Sequence, residues 1–483
     1  MSPEKPYASR HFSQPLQEQF ARVTHDYNPM HMDAMAARRT QAGAPVVHGM
    51  HSLLWALDCL AAKEKGIRRV SELKASFYKW IYVDTTAELV LVSSTDEEIK
   101  GQIRVGSTTV TAFTLKLGEA LAGSLAGTSD GRGGALLPVS VEPIDVALEA
   151  MGTQAGAVEV VGEDFEKLFP SLSREWNPLR VASIAALSRV VGMLCPGLNS
   201  IFSGLKLKFG AKEGAGDVLE FKVKSVNERF RSVVLAVEGP GLSGRVETFV
   251  RQPPARQTGM RAVAHAVAAG EFAGAHALIV GGSRGLGELT AKLLAAGGAR
   301  VTITYAVGLE QAMDVAREIE GWGGICDVMH YDATLAADAQ LAGMAVPVTH
   351  AYYFATGQIF RAKTALFSAD VYGEFAKVYV EGFFDLCEAL GRRSVEGVSV
   401  FYPSSVAVTE RPREMTEYAA AKAAGEVLCE DMNRFMRGVR VVQRRLPRLP
   451  TDQTLSLVAV PSADPLEVLL PIVREVQARE VAS

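Results

Sequence analysis

Asp26, Asn28 and His31 lie in the string Val23-Thr24-His25-Asp26-Tyr27-Asn28-Pro29-Met30-His31, which sets a carboxyl, an amide and an imidazole at fixed spacing. Seventeen residues after His31 comes His48-Gly49, followed by Met50, Leu53, Leu54, Leu57, Leu60 and Ala61 at helical apolar spacing. Gly49 is therefore expected at a helix start. A helix N-terminus points N–H groups at an anion, and a residue without a Cβ lets a carbonyl oxygen come close. Acid, base and oxyanion donor together are what removal of a proton beside a carbonyl requires, with loss of a poor leaving group. Taken alone, the Asp-x-Asn-Pro string is also an ordinary turn in which Asp and Asn bond their own backbone. His48 reads as a structural histidine.

A second constellation lies far downstream. Ala277-Leu278-Ile279-Val280 is a short buried strand, then Gly281-Gly282-Ser283-Arg284-Gly285-Leu286-Gly287 leads into a helix through Ala296. Such a turn lets the backbone approach a pyrophosphate, which the helix N-terminus attracts. The candidate cofactor-binding residues are Gly281, Ser283, Arg284, Gly285, Leu286 and Gly287. The next strand, Arg300–Tyr305, ends with no carboxylate to hold a ribose 2′-hydroxyl, whereas Arg284 is placed to meet a 2′-phosphate; NADP(H) is expected over NAD. Asp332 is either an adenine contact or a turn residue. Ser405 stands thirteen residues before Tyr418, and the Tyr418-x-x-x-Lys422 spacing puts both side chains on one helix face.

The Asp-x-Asn-Pro-x-His spacing with the later Val-Val-His-Gly-Met resembles the signature of MaoC-like, (R)-specific enoyl hydratases and dehydratases of the hot-dog fold. The resemblance implies that Asp26 and His31 flank Cα and Cβ of a thioester-linked acyl chain and move a proton and a water. Asn28 would orient the water or the Asp26 side chain, Pro29 would fix the turn, and the Gly49 N–H would face the thioester oxygen. Over roughly residues 272–450 the chain resembles the short-chain dehydrogenase/reductase family. By that resemblance Tyr418 donates a proton to a ketone, Lys422 lowers the tyrosine's pKa and holds the nicotinamide ribose, and Ser405 steadies the substrate oxygen. The sequence departs from that family at Phe354-Ala355-Thr356-Gly357, where Asn-Ala-Gly is usual. It departs again at Tyr379, where a helix asparagine is usual, and at Leu446-Pro447-Arg448-Leu449-Pro450-Thr451, which replaces a Pro-Gly segment.

These residues need an α+β double hot-dog followed by an α/β Rossmann domain. After the helix that Gly49 opens, residues 77–84, 87–94 and 103–117 read as strands. A glycine-rich stretch at 118–134, with six glycines, reads as a linker, and a second boundary falls at Gln252-Pro253-Pro254. Between them, residues 180–193, 205–209 and 216–217 echo the first helix, Phe77 and Asp84. The expected domains are a catalytic hot-dog at 1–118, a second, non-catalytic repeat at 140–255 and the Rossmann domain at 270–483. No histidine occurs between His51 and His265, so the second repeat cannot carry the same acid–base pair; its expected role is structural, lining the acyl tunnel.

With 483 residues, 48% of them hydrophobic, and a net charge of −4, the chain is long enough for about three domains. Mixed charge gives no footprint for nucleic acid, and no apolar run approaches a membrane span. The first residues lack the apolar core of a signal peptide, so a cytoplasmic protein is expected. Five scattered cysteines show no metal spacing, and no metal is expected. The function expected is reduction of a 3-ketoacyl thioester by NADPH and dehydration of the resulting (R)-3-hydroxyacyl thioester to the trans-2-enoyl product. Its rivals are the same pair run in the oxidative direction, or a dehydratase scaffolded by an inert reductase-like domain. Acyl carrier protein or coenzyme A would carry the substrate, in a homodimer.

Overall fold

The computed structural model describes residues 6–118, 135–162, 164–210, 217–344, 346–359, 366–454 and 460–478, and the chain divides after Pro253 into two compact units. In the first unit ten strands form one antiparallel sheet. From one edge to the middle run Ala8–Phe12, Thr85–Ser94, Glu98–Val105, Thr108–Leu117 and Val70–Phe77; from the middle to the other edge run Ser200–Phe209, Leu242–Val250, Ser232–Gly239, Val218–Asn227 and Ala155–Glu159. Counted outward from the centre, both halves repeat the same chain order, so the sheet is two copies of one motif joined along Val70–Phe77 and Ser200–Phe209.

Pairing at that seam follows the two-residue period of the strands. Leu73 faces Leu207 and Ala75 faces Leu205, and all four are buried, whereas Lys74 and Lys206 oppose one another on the other face. Glu72 takes Lys206 Nζ at 3.4 Å, which relieves that like-charge pair. Each half wraps a helix, Gly49–Ala61 in the first and Pro178–Arg189 in the second. Both are buried nearly all round, polar His51, Ser52, Ser183, Ser188 and Arg189 included. This is a double hot-dog.

The second unit is a parallel sheet ordered Ile325–His330, Arg300–Tyr305, His276–Val280, His350–Tyr353, Val398–Ser405, Val439–Leu446. The chain order reverses between His276–Val280 and His350–Tyr353, which makes the carboxyl ends of those two strands the topological switch point of a Rossmann fold. His276–Val280 is buried along its whole length, as a central parallel strand covered on both faces should be. Among the described residues no helix is long and apolar enough to cross a membrane.

Two element expectations are corrected. Residues 78–84 are not a sheet strand: the strand precedes them at Val70–Phe77. The aromatic-rich stretch instead runs beside the loop before Gly49, with Val47 N–H donating to Ile81 O at 2.8 Å and Val83 N–H to Pro45 O at 3.1 Å. Residues 103–117 are not one strand but the end of Glu98–Val105 and all of Thr108–Leu117, broken at Gly106, whose φ of 56° suits glycine. The expected linker lies, from residue 119 to 134, outside the described residues.

Candidate functional sites

In the first unit the helix Gln14–Thr24 ends on His25 in the left-handed region, φ 56°, which turns the chain so that Asp26 points inward. Asn28 then caps the short helix Pro29–Met32, its Oδ1 accepting Met30 N–H at 3.0 Å. Asp26 is 1% exposed. Its Oδ1 accepts the Asn28 N–H at 3.2 Å and its Oδ2 accepts the Ser188 hydroxyl at 2.6 Å. A ring nitrogen of His31, one of His48 and an Asp26 carboxyl oxygen lie within 4.8 Å of one another. His31 Nδ1 meets the Val46 carbonyl at 2.7 Å. A carbonyl only accepts, so Nδ1 carries the proton and Nε2 keeps a lone pair.

Burial drives both members toward their neutral forms. It raises the Asp26 pKa, with His31, Ser188 and Asn28 opposing, and lowers that of His31, with Asp26 and the Val46 carbonyl opposing and Arg251 adding to the fall. Burial thus favours a carboxylic acid beside a neutral imidazole over the ion pair. His48 stacks on His31 with ring centroids 3.9 Å apart and has its ring nitrogens against Gln17 Oε1 at 3.0 Å and Asp26 O at 3.1 Å. Both nitrogens being engaged, His48 fixes the backbone that aims Asp26.

Asp26, His31 and Gly49 border one cavity of about 660 Å³, measured out into its mouth. Gly49 is the first residue of its helix, with no side-chain cap from His48, and a Cβ there would press on the Phe77 ring at 3.1 Å. The Asn28 side chain departs from the expectation that it bonds the Asp26 carboxyl. Its Nδ2 donates to Gly192 O at 2.7 Å, and only its backbone N–H serves Asp26. Ser188, Val191, Gly192 and Phe202, all from the second repeat, also line the cavity. No spacing rule singles out Ser188 in the sequence; its position on a second helix that mimics the first was the one available signal.

In the second unit the strand His276–Val280 enters the glycine turn with Gly281 at φ 82°. A Cβ at Gly287 would lie 2.2 Å from Gly281 O, so only glycine lets the helix Gly285–Ala296 start this close to the strand. Gly285, at φ 62°, has nothing within 4 Å of a Cβ position, which leaves the helix N-terminus open beside Ser283 and Leu286. These residues fit a dinucleotide pyrophosphate. Arg284 departs from expectation: its Nη1 is 3.1 Å from Asp452 Oδ2, so the guanidinium is paired with a carboxylate and not presented to a 2′-phosphate. Asp332 is a turn residue here, its Oδ1 accepting Thr334 N–H at 2.8 Å and Thr334 Oγ1–H at 2.7 Å.

The strand Val398–Ser405 and the helix Thr416–Phe435 bring Ser405, Tyr418 and Lys422 together. The Ser405 side chain bonds the Tyr418 phenol, pulling down a pKa that burial raises. Lys422 Nζ donates to Pro403 O at 2.7 Å and sits 3.9 Å from the Tyr379 ring centroid and 4.9 Å from that of Tyr402. Burial pushes the ammonium down to about 7, with Cys429 and Glu426 opposing. Tyr379, on the π-helical turn Lys377–Gly382, bonds Thr356 Oγ1 at 2.5 Å, so the two residues that depart from the family pattern hold each other. Sequence reasoning missed the brace behind them: Glu426 takes the Ser404 hydroxyl at 2.5 Å and Arg445 at 2.7 and 2.6 Å.

Comparison with known proteins matches residues 3–114 to the MaoC like domain and residues 275–450 to the short chain dehydrogenase model. An uncharacterized oxidoreductase of Escherichia coli (strain K12), YgfF, is 30% identical over 221 residues, 43% of this chain and 89% of that protein. The cyclic-di-GMP-binding biofilm dispersal mediator protein of the same organism is 27% identical over 218 residues, 44% of this chain and 88% of its own. Among solved structures, a short chain dehydrogenase from Burkholderia cenocepacia J2315 in complex with NADP is 29% identical with a TM-score of 0.34, covering 38% of this chain and 78% of that one. A dehydrogenase/reductase from Sinorhizobium meliloti 1021 is 21% identical with a TM-score of 0.37, covering 43% and 90%.

Proposed function

The chain belongs to the short-chain dehydrogenase family over residues 275–450 and carries a MaoC like domain over residues 3–114, and from that premise we propose a sequential 3-ketoacyl-thioester reductase and (R)-3-hydroxyacyl-thioester dehydratase. The observation that carries this reading is the convergence of Asp26, His31 and the Gly49 helix start on one cavity. In dehydration, His31 Nε2 takes the α-proton, the electron pair of that C–H bond forms the double bond, and Asp26 gives its proton to the β-hydroxyl, which leaves as water. The Gly49 N–H faces the thioester oxygen as negative charge develops there. Hydration is the same path reversed.

For the reduction, Gly281, Ser283, Arg284, Gly285, Leu286 and Gly287 would hold a nicotinamide dinucleotide, whose chemistry is hydride transfer. Tyr418 gives its phenolic proton to the ketone oxygen, Ser405 holds that oxygen, and Lys422, when protonated, favours the phenolate left behind. NADP(H) is our proposed cofactor; it requires Arg284 to leave Asp452. We place the acid–base hot-dog at residues 1–118, the second repeat at 140–255 and the reductase at 270–483, in a homodimer acting on acyl carrier protein or coenzyme A thioesters.

Two variants test the division of labour. Asp26→Asn keeps the loop but removes the acid, and should lower enoyl-thioester hydration by about 10²- to 10⁴-fold while ketone reduction persists. Tyr418→Phe should do the reverse. NADPH oxidation by 3-ketoacyl thioesters that survives Tyr418→Phe unchanged, or is absent from the wild type, removes the reductase half of the proposal.

A further inference from the structure

Resting on the dehydratase reading above, we propose that Ser188, supplied by the repeat that lacks the acid–base pair, is a positioning residue that fixes the Asp26 carboxyl for proton transfer. A buried serine in a helix commonly bonds the carbonyl four residues back, as Ser183 does with Leu179 O at 2.7 Å. Ser188, also buried, reaches across to Asp26 Oδ2 at 2.6 Å. The turn that follows it closes on the same carboxyl. Val190–Leu194 is a π-helical turn, and a Cβ on its Gly192 would stand 2.3 Å from Asp26 Oδ1. Gly192 O also accepts the Asn28 amide at 2.7 Å, which ties down the residue whose N–H holds Oδ1. Between them, Ser188, Gly192 and the Asn28 backbone fix the plane of the carboxyl and leave few directions for its proton.

The charged and titratable groups facing Asp26 are His31 and His48, the latter 3.8 Å from Oδ2, with Arg251 acting on His31. A hydroxyl donating to a carboxylate favours the ionised form, so removing it raises the Asp26 pKa. In dehydration Asp26 must carry the proton that it gives to the β-hydroxyl, so the alkaline limb of the pH–rate profile for dehydration is the ionisation of Asp26. A merely structural role for Ser188 would leave that limb in place.

The test is dehydration of an (R)-3-hydroxyacyl thioester by the full-length chain across pH, for wild type, Ser188→Ala, Ser188→Thr and Asp26→Asn, with thermal melting of each. Ser188→Ala should lose at least about tenfold in kcat and move the alkaline limb up by about one pH unit, the scale of one hydrogen bond to a charged group. Ser188→Thr, which keeps the hydroxyl, should restore both. Should the alanine variant not fold, Ser188→Cys, of similar size and a weaker donor, carries the same expectation. An alanine or cysteine profile that superposes on the wild type apart from scale overturns the proposal. If Asp26→Asn dehydrates as well as the wild type, the dyad reading itself fails; if Asp26→Asn is inactive while Ser188→Ala keeps the wild-type limb, only the role of Ser188 fails.

Discussion

Arg284 Nη1 and Asp452 Oδ2 are 3.1 Å apart, so a 2′-phosphate that Arg284 is to hold must compete with a carboxylate already in place. Asp452→Asn removes that competitor while keeping an oxygen for the Ala255 N–H, which Oδ1 accepts at 3.0 Å. The variant should bind NADPH several-fold more tightly relative to NADH, and Arg284→Ala should erase the difference; cofactor fluorescence titrations read both. A ratio indifferent to either change would detach Arg284 from cofactor choice. Lys422 makes a second prediction. Its pKa falls from 10.5 to about 7 through burial, so between those values the unfolded chain holds a proton that the folded chain lacks. Stability should therefore rise with pH across that window, and Lys422→Met should flatten the rise in the melting of the second unit. Short-range chemistry of this kind was legible in the sequence: Asp26, His31 and Gly49 are tied by local spacing, and Tyr418 and Lys422 by one helical turn. Ser188, 162 positions from Asp26, and Asp452, 168 positions from Arg284, were not, because only tertiary packing brings them near.

At the scale of elements, both candidate sites sit against π-helical turns, Val190–Leu194 beside Asp26 and Lys377–Gly382 carrying Tyr379, a setting in which an extra residue per turn re-aims side chains. Gly192→Ala would drive a methyl into the Asp26 carboxyl from 2.3 Å. The carboxyl is pinned by Ser188 and cannot step aside cheaply, so hydration should drop by at least about tenfold, with a stability cost of roughly 1–3 kcal/mol. Unchanged turnover in Gly192→Ala would mean the turn yields. The sequences of these turns read as plain helix, since nothing in their apolar pattern distinguishes a five-residue step from a four-residue one. The opposite error occurred at residues 78–84, where Tyr, Trp, Ile and Val have strand propensity but pair with Pro45 and Val47 outside the sheet. The true strand, Val70–Phe77, hid because its solvent face carries Glu72, Lys74 and Ser76. By contrast Gly285–Ala296 and Arg300–Tyr305 were legible, the helix bounded by glycines and the strand marked by its β-branched run Val301-Thr302-Ile303-Thr304.

Across the first unit, the two repeats share a sheet seam, a cavity and hydrogen bonds that neither can satisfy alone. Val70–Phe77 pairs with Ser200–Phe209 over five residue pairs, Glu72 to Ser76, Trp176 Nε1 donates to Ile67 O at 2.7 Å, and Asp58 accepts Leu172 N–H at 2.8 Å. A chain cut to residues 1–118 keeps Asp26, His31 and Gly49 but exposes the backbone edge of Val70–Phe77, an invitation to pair with another copy. It also uncovers one side of the apolar helix Gly49–Ala61 and loses Ser188 and Gly192. That fragment should aggregate or self-pair and should not hydrate enoyl thioesters, whereas residues 1–253, which span the compact unit, should be soluble and hydrate at the rate of the full chain. Light scattering during size-exclusion chromatography and a hydration assay on both pieces give the answer. A monomeric, fully active 1–118 fragment would show that the second repeat neither completes the fold nor holds the acid, and would sink the shared-site reading together with the role assigned to Ser188.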